Sequence, residues 1–110
     1  MADESDTPVL DLLAGMTGDS IKASNLEADT LMLVRIAALV AVDAPPASYL
    51  LNLGAASELG VGEDQVRGVL AAVAPIVGTP RVVSATGNIV RALGFALEMA
   101  EFEEEEEEEA

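Results

Sequence analysis

Apolar residues recur at helical spacing along most of the chain, and nowhere do they alternate with the period of two that a half-buried strand requires. The densest stretch, Leu31 to Val42, is apolar apart from Arg35, so as a helix it is apolar on every side. Such a helix belongs at the centre of a bundle. Asp43-Ala44-Pro45-Pro46 ends it, because two prolines forfeit two donors and push the preceding residue out of helical dihedrals. A shorter helix is predicted from Ala47 to Leu59, with Gly60 where a left-handed residue closes a helix.

The flanking segments read the same way. Thr7-Pro8 is a helix start, and Val9, Leu10, Leu13 and Met16 carry a first helix over about 8–20. Ile21 to Ala23 either continue it or form the loop. Ser24-Asn25-Leu26-Glu27 fits a capping box that launches the central helix. After Gly60-Val61-Gly62, Glu63 and Asp64 open a helix whose apolar face is Val66, Val69, Leu70, Val73 and Val77, with Pro75 expected to kink or loosen it. Gly78-Thr79-Pro80 starts a long last helix, expected to fray after Ala100, where seven consecutive glutamates repel one another. The expectation is an all-α, compact bundle of about five helices spanning 7–102. Residues 1–6 form a disordered acidic leader and 103–110 a disordered poly-Glu tail.

Composition changes this picture in two ways. The chain is 51% hydrophobic but only 3% aromatic, so small aliphatic side chains supply the apolar surface. In 110 residues that surplus points to a subunit completing its core against copies of itself. The net charge of −15 is concentrated at the ends. Twelve of the 20 acids are Asp3, Glu4, Asp6, Glu98, Glu101 and Glu103 to Glu109, leaving eight against five bases in residues 7–97, a balance of −3. Nothing there neutralises phosphates, so neither nucleic acid nor an anionic membrane is an expected partner. The first residues lack the basic and apolar parts of a signal peptide, and the longest apolar run falls short of the roughly 20 residues that cross a bilayer. The expected location is cytoplasmic.

The chain has no cysteine and no histidine. It therefore lacks a thiolate nucleophile, an imidazole base and the commonest metal ligands, and no metal or cofactor is expected.

The order of a buried helix, a Pro-Pro turn, an alanine-rich helix ending in Gly60-Val61, and GVGEDQVRGVLAAVAPIVGTPR leading to a Gly-x-Pro turn resembles the carboxymuconolactone decarboxylase / alkylhydroperoxidase D-like superfamily. The resemblance covers roughly Asp29 to Gly94. It implies an alkylhydroperoxidase D-like helical fold and assembly as a trimer or hexamer. In the family's thiol peroxidases a Cys-x-x-Cys-x-x-x-His motif cycles between dithiol and disulfide while histidine and glutamate move protons. Counting back from Gly60-Val61 puts Pro45 and Ser48 at the cysteine positions, Asn52 at the histidine and Leu33 near the glutamate. The resemblance therefore brings the scaffold without its chemistry.

The candidate pocket residues are Arg35, Ser48, Tyr49, Asn52 and Glu58. Arg35 sits in an apolar helix, where a guanidinium needs a carboxylate or carbonyls; no acid lies three or four residues away, so the partner must come from elsewhere, with Glu58 or Asp11 as candidates. It then joins helices or subunits, binds a substrate carboxylate, or reaches solvent. Ser48 has no base nearby in sequence and is read as a helix cap, Asn52 as a backbone partner and Tyr49 as packing. Met16 and Met32 are read as core. The leading expectation is a cysteine-less homo-oligomer acting as a binding or structural protein of unknown ligand. The alternative is a non-redox lyase or decarboxylase acting on a small organic acid through Arg35 with Glu58 or Tyr49. A third reading has the acidic tail recruit a basic partner.

Overall fold

A computed structural model describes residues 6–109, with side chains described through Gly94. Apart from Asp6, the expected leader lies outside the described residues, as do the side chains of the poly-Glu run. Five helices follow in order: α1 (Pro8–Ser24), α2 (Ala28–Ala41), α3 (Pro46–Glu58), α4 (Glu63–Val77) and α5 (Thr79–Glu109). No strand occurs among the described residues. The all-α reading and the helix order hold.

Helix α2 is the hub, packing against α3, α4 and α5. Its Val40 joins Ala44, Tyr49, Ala85, Ile89 and Ala92 in one buried cluster, and its Met32 and Ile36 join Ala56, Val61 and Val69 in a second. Leu53 and Val66 border both, so the two clusters form a continuous core. The expectation that α2 is enclosed on every side needs correction. Its outer face is open, with Val34 52% and Val42 70% exposed, because its three packed neighbours cover one side only.

Two helices end in the same device. At the end of α3, the Val61 amide bonds to the Ala56 carbonyl at 2.9 Å and the Gly60 amide to the Ser57 carbonyl at 3.1 Å, with Gly60 left-handed at φ +85°. This is a Schellman turn, and Ala56 and Val61 supply its apolar contact. At the end of α2, Ala44 bonds to Leu39 at 3.0 Å and Asp43 to Val40 at 3.2 Å. Here the left-handed position is held by Asp43 at φ +55°. Open space surrounds both Gly60 and Gly62, and only Gly60 has positive φ. Gly60→Ala is therefore expected to cost about 1–2 kcal/mol through backbone strain alone, and Gly62→Ala far less. Paired urea titrations check the difference.

Three helix ends settle in distinct ways. First, α1 absorbs Ile21 to Ser24, and Asn25 closes it at φ +53°. Ser24 thus belongs to the end of α1, its hydroxyl donating to the Ile21 carbonyl at 3.0 Å, and Glu27 caps α2 without a side-chain bond. The left-handed Asn25 takes the chain out of the geometry that the capping box needed. Second, the start of α4 carries half of such a box: the Gln65 side-chain oxygen accepts the Gly62 amide at 3.0 Å. Third, α4 runs through Pro75 to Val77 and closes on a left-handed Gly78, φ +89°. Arg67 pairs with Glu63, as its spacing predicts, and with Asp64 at 3.4 Å.

Helix α1 differs from the rest. None of its residues is buried, and it forms no substantial packing with any other helix. Val9, Leu10, Leu12, Leu13 and Met16 are each at least half exposed. The expectation that Met16 is core does not hold within one chain.

Candidate functional site

The turn between α2 and α3 and the first turns of α3 carry Pro45, Ser48 and Asn52, the residues that the count from Gly60-Val61 assigns to the motif positions. Pro45 is the N-cap of α3, exposed, with extended dihedrals, and Pro46 follows at the first helical position. Both prolines sit where a missing amide leaves no intrahelical bond unmade. Ser48 lies within the first turn of α3, its amide bonded to the Pro45 carbonyl at 3.1 Å. It is not the cap that its position after the prolines predicts, because Pro45 already fills that place. One turn later the Asn52 side-chain amide donates to the Ser48 carbonyl at 2.8 Å, the backbone role expected of it. The Ser48 hydroxyl has no hydrogen-bond partner among the described residues, so no base is positioned to activate it.

Tyr49 points inward. It is fully buried, packed with Val40, Ala85, Ile89 and Ala92. Its hydroxyl is buried without a hydrogen-bond partner among the described residues. Burial, and secondarily the Asp43 carboxylate, pushes its pKa above the ordinary value of 10.0. The neutral phenol is the form this environment favours.

Arg35 and Glu58 are not brought together. The Arg35 guanidinium instead reaches across to α1, donating to the Ser20 hydroxyl at 3.2 Å and, at 3.5 Å, to the Thr17 carbonyl. No ion pair joins it to Glu58 or Asp11 among the described residues. Glu58 is exposed at the end of α3. Two of the five candidates, Ser48 and Asn52, are thus bonded directly, with Tyr49 between them facing the core, while Arg35 and Glu58 have separate surroundings.

A polar connection absent from the sequence reading lies behind this turn. From α5, Ser84 donates to the Asp43 carboxylate at 2.6 Å, and the buried Asn88 donates to the Ala44 carbonyl at 3.2 Å. Arg91 in turn donates to the Asn88 side-chain oxygen at 3.2 Å. Helix α5 therefore holds the α2–α3 turn from below. The one local signal was an aspartate just before Ala-Pro-Pro, a residue type that tolerates left-handed dihedrals.

The clefts on this face are small and open. One of about 220 Å³ is lined by Leu50, Leu53, Gly54, Ser57, Ala92 and Leu93; another of about 180 Å³ adds Pro46 and Ala47 and shares Leu50 and Ala92. Both are below the roughly 300–1,000 Å³ of small-molecule sites, and neither is lined by Arg35, Tyr49, Asn52 or Glu58. Among the described residues no helix is long and apolar enough to cross a membrane.

Comparison with known families decides the lineage. The profile of the Carboxymuconolactone decarboxylase family matches residues 7–88. The chain belongs to this family. Neither a curated protein nor a solved structure matches it significantly. The match starts before the part of the chain on which the sequence resemblance rests, and takes in all of α1. In this carboxymuconolactone decarboxylase family member, α1 is thus part of the shared domain although it forms no substantial packing with the other helices. The matched region also contains the α2–α3 turn with Pro45, Ser48 and Asn52.

Proposed function

We propose that this chain is a carboxymuconolactone decarboxylase-like helical homo-oligomer without thiol peroxidase chemistry, serving as a binding or structural protein in the cytoplasm. The observation that carries the reading is the occupancy of the motif positions. Pro45 cannot present a thiolate, the Ser48 hydroxyl has no base among the described residues, and Asn52 is engaged with the Ser48 carbonyl. The whole sequence supplies no cysteine or histidine to replace them. Assembly is supported by the apolar side chains left open on α1 and on the outer face of α2, since contiguous exposed apolar surface beyond a few hundred Å² marks an interaction site. The acidic ends, 1–6 and 103–110, act as solubilising segments.

Purified protein given organic hydroperoxide and a dithiol reductant is expected to show peroxide loss no faster than the protein-free blank. Turnover proportional to protein concentration overturns the reading.

The decarboxylase alternative keeps one supporting feature, a guanidinium at Arg35 with no carboxylate partner among the described residues. The separation of Arg35 from Glu58 and from the buried Tyr49 weighs against it.

A further inference from the structure

The two clefts that share Leu50 and Ala92 merge into one trough between α3 and α5. Merged, they reach the volume range of small-molecule sites that each misses alone. Ala47, Leu50, Gly54 and Ser57 follow one another every three to four residues along the α3 wall, with Ala92 and Leu93 opposite. At the rise of a helix, the trough from Ala47 to Ser57 is about 15 Å long. Its described lining is aliphatic apart from Ser57, and it includes no acid, although the chain carries a net charge of −15.

The two ends of the trough differ in charge. At the Pro46 end stands Arg91, the residue before Ala92, whose guanidinium reaches back one turn to the Asn88 side-chain oxygen at 3.2 Å. Asn88 is 9% exposed and is itself fixed to the Ala44 carbonyl, two residues before Pro46. A buried amide thus tethers Arg91 to the turn at which the trough begins. Arg91 forms no ion pair with a described acid, and the carboxylate of that turn, Asp43, is held by Ser84, one turn earlier on α5 than Asn88. At the other end Glu58 follows Ser57 and is exposed, and Glu63 lines an adjoining cleft that shares Leu53, Ser57 and Leu93.

We propose that this trough binds a single-chain aliphatic carboxylate of medium length, its head at Arg91 and its tail along α3 towards Ser57. The proposal rests on the binding-protein reading and names the ligand class. Charge fixes both the head and the direction. A guanidinium free of acids takes a carboxylate through two parallel hydrogen bonds, and the glutamates at the far end repel a head placed there. They disfavour a dicarboxylate for the same reason. Length fixes the tail. An extended alkyl chain advances about 1.25 Å per bond, so an acid of about eight to ten carbons spans roughly 9–12 Å and fits within the trough. Gly54 leaves its part of the α3 wall without a side chain, with open space around it among the described residues. The trough also lies on α3 and α5, so assembly through α1 and the outer face of α2 leaves it open.

The test titrates the full-length protein by calorimetry with hexanoate, octanoate and decanoate, and with 1-octanol as the uncharged head. The expected result is saturable binding of one octanoate per chain, with Kd on the order of 10–100 µM. Affinity should rise about two- to fourfold per added methylene, and octanol should bind at least about fivefold more weakly than octanoate. Arg91→Gln should bring octanoate down to the level of octanol while leaving octanol binding unchanged, which separates loss of the cation from damage to the fold. Arg91→Lys should restore part of the preference for octanoate. Gly54→Leu, for which the structure has room, should weaken both ligands at least about tenfold by filling the trough. Absence of saturable octanoate binding overturns the proposal, as do equal affinities for octanol and octanoate, or undiminished binding by Gly54→Leu. An oligomer that sediments as smaller species when octanoate is added also overturns it, because a second copy then occupies the trough. These outcomes leave the absence of peroxidase chemistry to its own assay. Hydroperoxide turnover overturns that reading whether or not octanoate binds.

Discussion

Ile36→Ala is expected to lower the unfolding free energy by about 2–5 kcal/mol, the range for removing a large aliphatic side chain from a packed core. Ile36 is fully buried, on the face of α2 that meets Met32, Ala56, Val61 and Val69. Its neighbours come from three parts of the chain, so the space left by three carbons cannot be closed by one side chain moving. For a domain of this size each kcal/mol shifts the melting temperature by roughly 4–8 °C, so a fall of at least about 8 °C is expected in a thermal scan. The control lies two residues away in sequence and on the other side of the helix. Val34 is 52% exposed within one chain, and Val34→Ala leaves little cavity there. A loss from Val34→Ala as large as that from Ile36→Ala, at concentrations where the chain is assembled, places Val34 inside a subunit contact.

Tyr49→Phe is expected to act in the opposite direction. The ring fills the space between α2, α3 and α5, and phenylalanine keeps it filled. The hydroxyl is buried with no bond to the described residues, and a polar group in that condition costs about 1–3 kcal/mol of stability. Its removal should raise the unfolding free energy by about 1 kcal/mol or more. The same residue sets a pH dependence. The folded pKa is raised, first by burial and then by the Asp43 carboxylate, above the 10.0 of the free side chain. The unfolded chain therefore releases the phenolic proton at lower pH than the folded one. Above pH 10 the unfolded state binds fewer protons, and stability falls with rising pH until the folded pKa is passed. Below pH 10 this contribution is constant. Urea titrations between pH 8 and pH 11 should give a steeper alkaline decline for the natural chain than for Tyr49→Phe, which has no phenol to ionise. Parallel slopes would show that the phenol is accessible to solvent.

The order of helices was legible because its signals are local. Gly60 and Gly78 admit positive φ, the Pro45-Pro46 pair fixes φ and removes two donors, and each marks a helix boundary in the structure. Family membership was legible for a related reason: the buried helix, the turn and the alanine-rich helix form one contiguous stretch. The Ser24–Glu27 signature misled because Asn25, inside it, also favours the left-handed region, and closing α1 there left no cap for α2 to use. A buried guanidinium needs a carboxylate or carbonyls, and the carboxylates of Glu58 and Asp11 were the candidates for Arg35. The side chain is only half-buried, so a hydroxyl and a carbonyl suffice. The bonds from Ser84 to Asp43 and from Asn88 to Ala44 join residues 41 and 44 positions apart, and no local pattern announces them. The pattern on α1 correctly declared an apolar face, but periodicity carries no information on which chain covers it.

The hold of α5 on the α2–α3 turn has a consequence for biosynthesis. A ribosome releases Asp43 and Ala44 long before Ser84 and Asn88, and the core around Tyr49 takes Ala85, Ile89 and Ala92 from that same late segment. The nascent chain thus carries an open, aliphatic wedge after α4 is made, and closes it only as α5 emerges.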